Sequence, residues 1–202
     1  MTRFITRIAL ALSLGLAALS PALAQPRLET AVFAGGCFWS MQHDMKPIPG
    51  VVNTVVGYTG GHVDHPTYEQ VSSETTGHLE SVKVTFDPAK LTYAALVEHY
   101  WRRIDPTDSG GAFCDRGPSY HSAIFVSSPE QRRIAEASLA ALNAGRFKGR
   151  VVTQIRDLTV FWPAEDYHQD YAAKNPFDYD RYRFGCGKDS RVRQIWGAEA
   201  FH

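Results

Sequence analysis

The sequence predicts an α+β fold, a two-layer arrangement of helices packed on a mixed β-sheet. Three observations predict it. β-branched runs and helix-period stretches both occur; they intermix without the regular strand–helix–strand cadence of a parallel sheet; and no repeat, low-complexity block or linker divides the chain after its first segment. Residues 30–34 (TAVFA) read as a short strand, after which Gly35 and Gly36 turn the chain into a helix near Cys37. Phe38, Met41 and Met45 recur there at helical spacing, with Gln42, His43 and Asp44 on the other side, and Pro47 and Pro49 end the helix. Residues 51–58 (VVNTVVGY) read as a strand, and 59–67 as a loop. Residues 79–86 (LESVKVTF) alternate as a strand, with Val82, Val84 and Phe86 on one face. Glu80 shares that face, and a carboxyl aimed at a core needs a reason. A helix over 92–102 leads to a long loop, 105–119, rich in Gly, Pro and Asp, and then to a strand at 121–126. Ser128 as cap, Pro129 at the first helical position and Gln131 three after the cap open a helix that ends near Gly145. Residues 151–155 and 158–161 read as strands and 164–173 as a short helix, and the tail from Asn175 reads as irregular, with Cys186 between two glycines.

Residues 1–24 read as a secretory signal cut after Ala24: Arg3 and Arg7 form a basic start, 8–19 is apolar, and Ala22-Leu23-Ala24 is a small-x-small cleavage site. The apolar run is short for a membrane span, which wants roughly 18 residues or more. The remaining chain, 25–202, is long enough for one domain with a sizeable core. The full sequence carries 21 basic and 21 acidic residues, with no dense basic cluster and no polybasic amphipathic helix. Nucleic acid and membrane surface are therefore not expected partners.

The 3 cysteines are Cys37, Cys114 and Cys186, and an odd count in an oxidising compartment implies a leftover thiol. Three chemistries compete for it. A metal site lacks C-x2-C or H-x3-H spacing. A cysteine hydrolase would use Cys37 with His168 and Asn175 as partners, yet His168 sits mid-helix in this reading, where a packed or surface histidine is the ordinary role. Redox chemistry would use Cys37 as a thiolate acidified by a helix N-terminus. Cys186, in the tail, could then reach it, provided the two Cα atoms come within roughly 7 Å. Phe38 and Trp39 would either wall an apolar pocket for a methyl or thioether or simply fill the core.

The ordered segments GGCFWS, GYTGG, PTYEQVSSETTGHLES, CDRGPSYHSAIF, FWPAEDYHQDY and FGCGKD resemble the A-type peptide methionine sulfoxide reductases, over essentially 30–197. The resemblance implies a ferredoxin-like core. It implies that Cys37 attacks the sulfoxide sulfur while Glu80, kept protonated by burial, serves as the acid. It further implies that Tyr68 and Tyr120 hold the sulfoxide oxygen, that Asp115 organises the site, and that Phe38 and Trp39 cradle the substrate methyl. Cys37 would carry the oxygen as a sulfenic acid, and Cys186 would resolve it as a disulfide. An external dithiol, thioredoxin or a similar protein, would then restore the thiols, with no metal and no bound cofactor. The implied substrates are methionine S-sulfoxides, free or in peptides and proteins, and a monomer is expected. Ser40 stands where many relatives have Gly or Cys, and the tail has a single cysteine. Cys114 is read as a plain loop cysteine in preference to a second recycling thiol.

Overall fold

The structure, a computed structural model, describes residues 27–202, so the signal read over 1–24 lies outside the described residues. The chain opens with β1 (Glu29–Ala34), turns into α1 (Phe38–Met45) and returns as β2 (Val51–Thr59). A short α2 (Tyr68–Ser72) precedes β3 (Leu79–Phe86), and α3 (Tyr93–Trp101) leads to a small hairpin of β4 (Gly111–Ala112) and β5 (Asp115–Arg116). Next come β6 (Ala123–Val126), α4 (Pro129–Ala144), β7 (Gln154–Asp157) and β8 (Trp162–Pro163). The chain closes with α5 (Tyr171–Lys174), α6 (Pro176–Cys186) and α7 (Lys188–Trp196).

Six strands form one sheet in the order β7-β6-β1-β3-β2-β8. Every pairing is antiparallel except β6 with β7, which makes the sheet mixed. The central order β6-β1-β3-β2, with α1 and α3 as the two crossovers, is the ferredoxin-like core. Alternation decides its layers. Ala31, Phe33, Val82, Val84 and Phe86 face a helical layer that contributes Met41, Met45, Leu96, Val97 and Trp101. Each buried Val, Leu, Phe or Met among them contributes roughly 1.5–3 kcal/mol relative to exposure. Val32, Ala34, Ala123 and Phe125 face the other way, under Leu158 and Phe161. Ser128 caps α4 by accepting from the Gln131 N–H at 3.1 Å, and the Gln131 amide donates to the Thr30 carbonyl at 2.9 Å, tying that helix to β1.

Three expectations need correction. The tail is helical, as α6 and α7, where an irregular segment was expected. Its sequence lacks an apolar stripe because α6 leaves Phe177 and Phe184 exposed, the latter at 90%, and turns Tyr179, Tyr182 and Cys186 inward. Residues 164–173 fold largely as turns, with only the last few entering α5. The strands expected over 151–155 and 158–161 form later, as β7 and β8.

The tail also buries the face of α1 that carries Asp44. The Asp44 carboxylate meets Arg183 Nη1 and Lys188 Nζ, each at 2.8 Å, while Arg183 also reaches Asp189 at 2.7 Å. A polar-looking helix face is thus an interior one, and this ion cluster clamps α6 and α7 against α1.

Candidate active site

Cys37 caps α1: its carbonyl accepts from the N–H groups of Ser40 and Met41 at 3.1 and 3.2 Å. Gly36, at φ +88°, makes the turn before it, and an added Cβ there would lie 2.6 Å from the Cβ of Ala112. The β4–β5 hairpin therefore presses directly on the residue before Cys37, and glycine permits the approach.

Glu80 arrives from β3, opposite Tyr58 in the ladder, and is buried on the face its parity predicts. Its Oε2 accepts from the Phe38 N–H at 2.9 Å, which leaves Oε1 to carry a proton. Burial, and to a lesser degree the charges of Asp115 and Glu74, raise its pKa to about 8, against the partial relief given by the Phe38 N–H. Glu80 is a neutral carboxylic acid at pH 7.

The thiol departs from expectation. Burial first, then the Glu80 and Asp115 carboxylates, push Cys37 well above the usual thiol range. The Tyr182 hydroxyl and the Trp39 backbone N–H pull it down without offsetting the rise. Two of the free N–H groups at the start of α1 are divided, Phe38's to Glu80 and Trp39's toward the sulfur, so the helix end does not acidify the resting thiol.

Carboxylates fix the two tyrosines. Tyr68 opens α2, where Thr67 and Gln70 form a capping box, and its backbone N–H donates to Glu165 at 2.8 Å. Tyr120 follows Ser119, whose N–H and hydroxyl both donate to Glu74 at 2.8 Å. Burial, then the charge of Glu80, raises the pKa of both phenols, so both are donors. Phe38 is buried completely, in a cluster with Val56, Tyr58, Val71 and Ala164. Trp39 is half-buried, stacks on Tyr171 at 3.7 Å and donates from its indole to His168 Nδ1 at 3.0 Å. An indole only donates, so His168 accepts at Nδ1 and serves Trp39 rather than Cys37. That arrangement disposes of a Cys–His hydrolase.

Asp115, on β5, lies at the centre of the remaining polar contacts. Its Oδ2 accepts from the Tyr182 hydroxyl at 2.6 Å, and its carboxylate takes the Cys37 backbone N–H. Burial raises its pKa above the ordinary carboxylate value. Its Oδ1 lies 3.8 Å from Cys114 Sγ and its Oδ2 3.9 Å from Cys186 Sγ.

These two sulfurs make a pairing that the sequence reading did not include. Cys186 is joined to Cys114 in a disulfide with Cα atoms 4.9 Å apart, and Cys37 is a free thiol. Cys114 is therefore not a plain loop cysteine. Cys114, Asp115 and Cys186 gather closely enough to resemble a ligand set, but bonded sulfurs have no thiolate to offer a cation. Tyr182 was missed as well. A helical reading of the tail would have put it four residues before Cys186, on the same face.

A lone buried thiol, a neutral carboxylic acid beside it and a disulfide around the next carboxylate define a thiol-dependent oxidoreductase on an α+β scaffold. The family described as peptide methionine sulfoxide reductase matches residues 29–200. The chain is 55% identical to peptide methionine sulfoxide reductase MsrA 2 of Caulobacter vibrioides, over 98% of this chain and 100% of the relative. It is 49% identical to the MsrA of Bacillus subtilis, over 85% of this chain and 97% of that one. Among solved structures, methionine sulfoxide reductase A of Corynebacterium diphtheriae is 35% identical with a TM-score of 0.67, covering 79% of this chain and 81% of that chain. The reduced form of Mxr1 from Saccharomyces cerevisiae reaches a TM-score of 0.70 at 26% identity, covering 74% and 87% respectively. The chain belongs to the peptide methionine sulfoxide reductase family, A type, and its activity is that of a peptide-methionine (S)-S-oxide reductase.

Proposed function

We propose that Cys37 reduces the S-sulfoxide of methionine by taking its oxygen, with Glu80 as the acid. The observation that carries this reading is the placement of a neutral carboxylic acid and a buried thiol at one helix start, where Glu80 accepts the Phe38 N–H at 2.9 Å. The phenols of Tyr68 and Tyr120 donate to the sulfoxide oxygen, and the Phe38–Trp39 corner borders the methyl. As Cys37 Sγ attacks the sulfoxide sulfur, Glu80 gives its proton to the oxygen, and the thiol proton released by Cys37 restores the carboxylic acid. A neutral resting thiol suits this order, because the proton leaves only when a polarised sulfoxide is present to drive it. The S–Sγ and S–O bonds of the resulting adduct then break as the hydroxyl passes to Sγ, so that methionine departs and Cys37 holds a sulfenic acid. Cys186 resolves that sulfenic acid as a disulfide with loss of water. Electrons come from an external dithiol, thioredoxin or a thioredoxin-like protein, and the protein takes part in repair after oxidative damage. The basic, apolar and small-x-small pattern of residues 1–24 supports export to the periplasm.

Resolved S- and R-sulfoxides, each offered with excess dithiothreitol, test the reading. The S epimer is expected to be consumed and the R epimer left, and Cys37→Ser should reduce neither. A Cys37→Ser enzyme working at the normal rate would sink the assignment.

A further inference from the structure

We propose that Cys114 is the third thiol of the reaction, receiving the oxidation that Cys186 takes from Cys37 and presenting it to the external dithiol. The inference rests on the reading above, in which Cys37 forms a sulfenic acid.

Three observations carry it. The first is the pairing itself: the disulfide joins Cys186 to Cys114 and leaves Cys37 as a free thiol, the state in which the enzyme is again ready for substrate. The second is reach. Cys37 is 9% exposed, beyond a protein-sized reductant, whereas Cys114 is exposed at the tip of the β4–β5 hairpin. The third is proximity. That hairpin packs on Gly36 through Ala112, and Asp115 contacts both sulfurs of the disulfide as well as the Cys37 backbone N–H. Tyr182, one turn before Cys186 on α6, faces both Asp115 and Cys37, so the tail cysteine and Cys37 share Tyr182 and Asp115 as neighbours. Gly187, at φ +67°, follows Cys186 and gives the chain a turning point there.

The chemistry closes without a further reagent. The Cys186 thiol attacks the Cys37 sulfenic acid; the S–S bond forms, and hydroxide leaves with the thiol proton as water. Cys114, giving its proton to Asp115, then attacks Cys186 Sγ. The Cys37–Cys186 bond breaks, and Cys37 leaves as a thiolate that recovers that proton. One sulfoxide and two thiols become one thioether, one water and the Cys114–Cys186 disulfide. The external dithiol reduces this disulfide at the exposed sulfur and is itself oxidised to a disulfide.

Counting methionine separates a relay from a structural staple. The full-length enzyme, fully reduced and freed of reductant without air, is given excess S-sulfoxide, and its linkages are mapped by mass spectrometry. The wild type should form two methionines per enzyme, one while making the Cys114–Cys186 disulfide and one leaving Cys37 oxidised. Cys114→Ser should form one at the normal initial rate, which shows it is folded, and should stop as a Cys37–Cys186 disulfide. Cys186→Ser should form one and stop as the sulfenic acid. The proposal is overturned if the wild type forms one, with Cys114 still open to alkylation, or if Cys114→Ser forms two. It is also overturned if Cys186→Ser accumulates a Cys37–Cys114 link while Cys114→Ser halts at the sulfenic acid, since that reverses the two roles. Absence of any methionine from the reduced wild type would instead defeat the underlying reading.

Discussion

Two buried carboxyl groups serve the two ends of one short helix, and they hold opposite charge states. Glu80 meets the start of α1, where its only strong partner is the Phe38 N–H, and its pKa rises to about 8. Asp44 lies near the end of α1, equally buried, and burial pushes its pKa up too, but the Lys188 and Arg183 cations more than reverse that and hold it below the ordinary range. Burial alone therefore does not decide whether a carboxyl is charged; the presence of a cation at hydrogen-bond distance does. Here the difference divides labour. The unpaired group keeps its proton at neutral pH, as the proposed acid must, and the paired one anchors the tail that carries Cys186.

Mutation can break that contrast at either end. The largest effect is expected from Glu80→Gln, which should lower kcat by roughly 10²–10⁴-fold with KM little changed, because it removes the acid and keeps the shape; steady-state kinetics check it. Asp44→Asn leaves the buried Lys188 without its counter-ion, while Arg183 keeps Asp189, and should cost about 3–5 kcal/mol in urea unfolding.

The two groups should also give opposite pH dependences. In the folded state Glu80 keeps its proton from its ordinary 4.5 up to about 8, so its contribution to stability declines as pH rises through that window. Glu80→Gln should flatten the decline, and wild-type kcat should fall above about pH 8 as the acid is lost. Asp44 behaves the other way. Its contribution is present above the ordinary 3.8 and lost as pH falls through its lower folded value, so Asp44→Asn should remove part of the acid-side loss of stability. Unfolding midpoints measured across pH separate the two. The smallest effect is expected from Tyr68→Phe, about tenfold in kcat/KM, the loss of one hydrogen bond to the sulfoxide oxygen.

Local chemistry was readable where a residue announces its own environment. Strand alternation placed Glu80 on the buried face, and the Ser128–Pro129–Gln131 start of α4 needed no tertiary help, since a cap is a short-range hydrogen bond. For His168 the sequence left packed and surface positions both open, because its partner Trp39 lies 129 positions away. The tail was misread because α6 packs through aromatic and ionic contacts, not through an apolar stripe, and periodicity reports only apolar stripes. The same blind spot hid Tyr182 and left the α1 face that carries Asp44 without a packing partner in the sequence reading.

The sequence by itself determined the elements of the core, the place of Cys37 at a helix start beside two aromatic residues, and the buried face that carries Glu80, because each depends on hydrogen bonds and side-chain alternation within a few residues. Tertiary structure decided which cysteine meets Cys186, and whether the thiol and the two carboxyls are charged. Those outcomes depend on contacts between segments 42 or more positions apart, and on how much water and which cations the packed tail leaves beside each group.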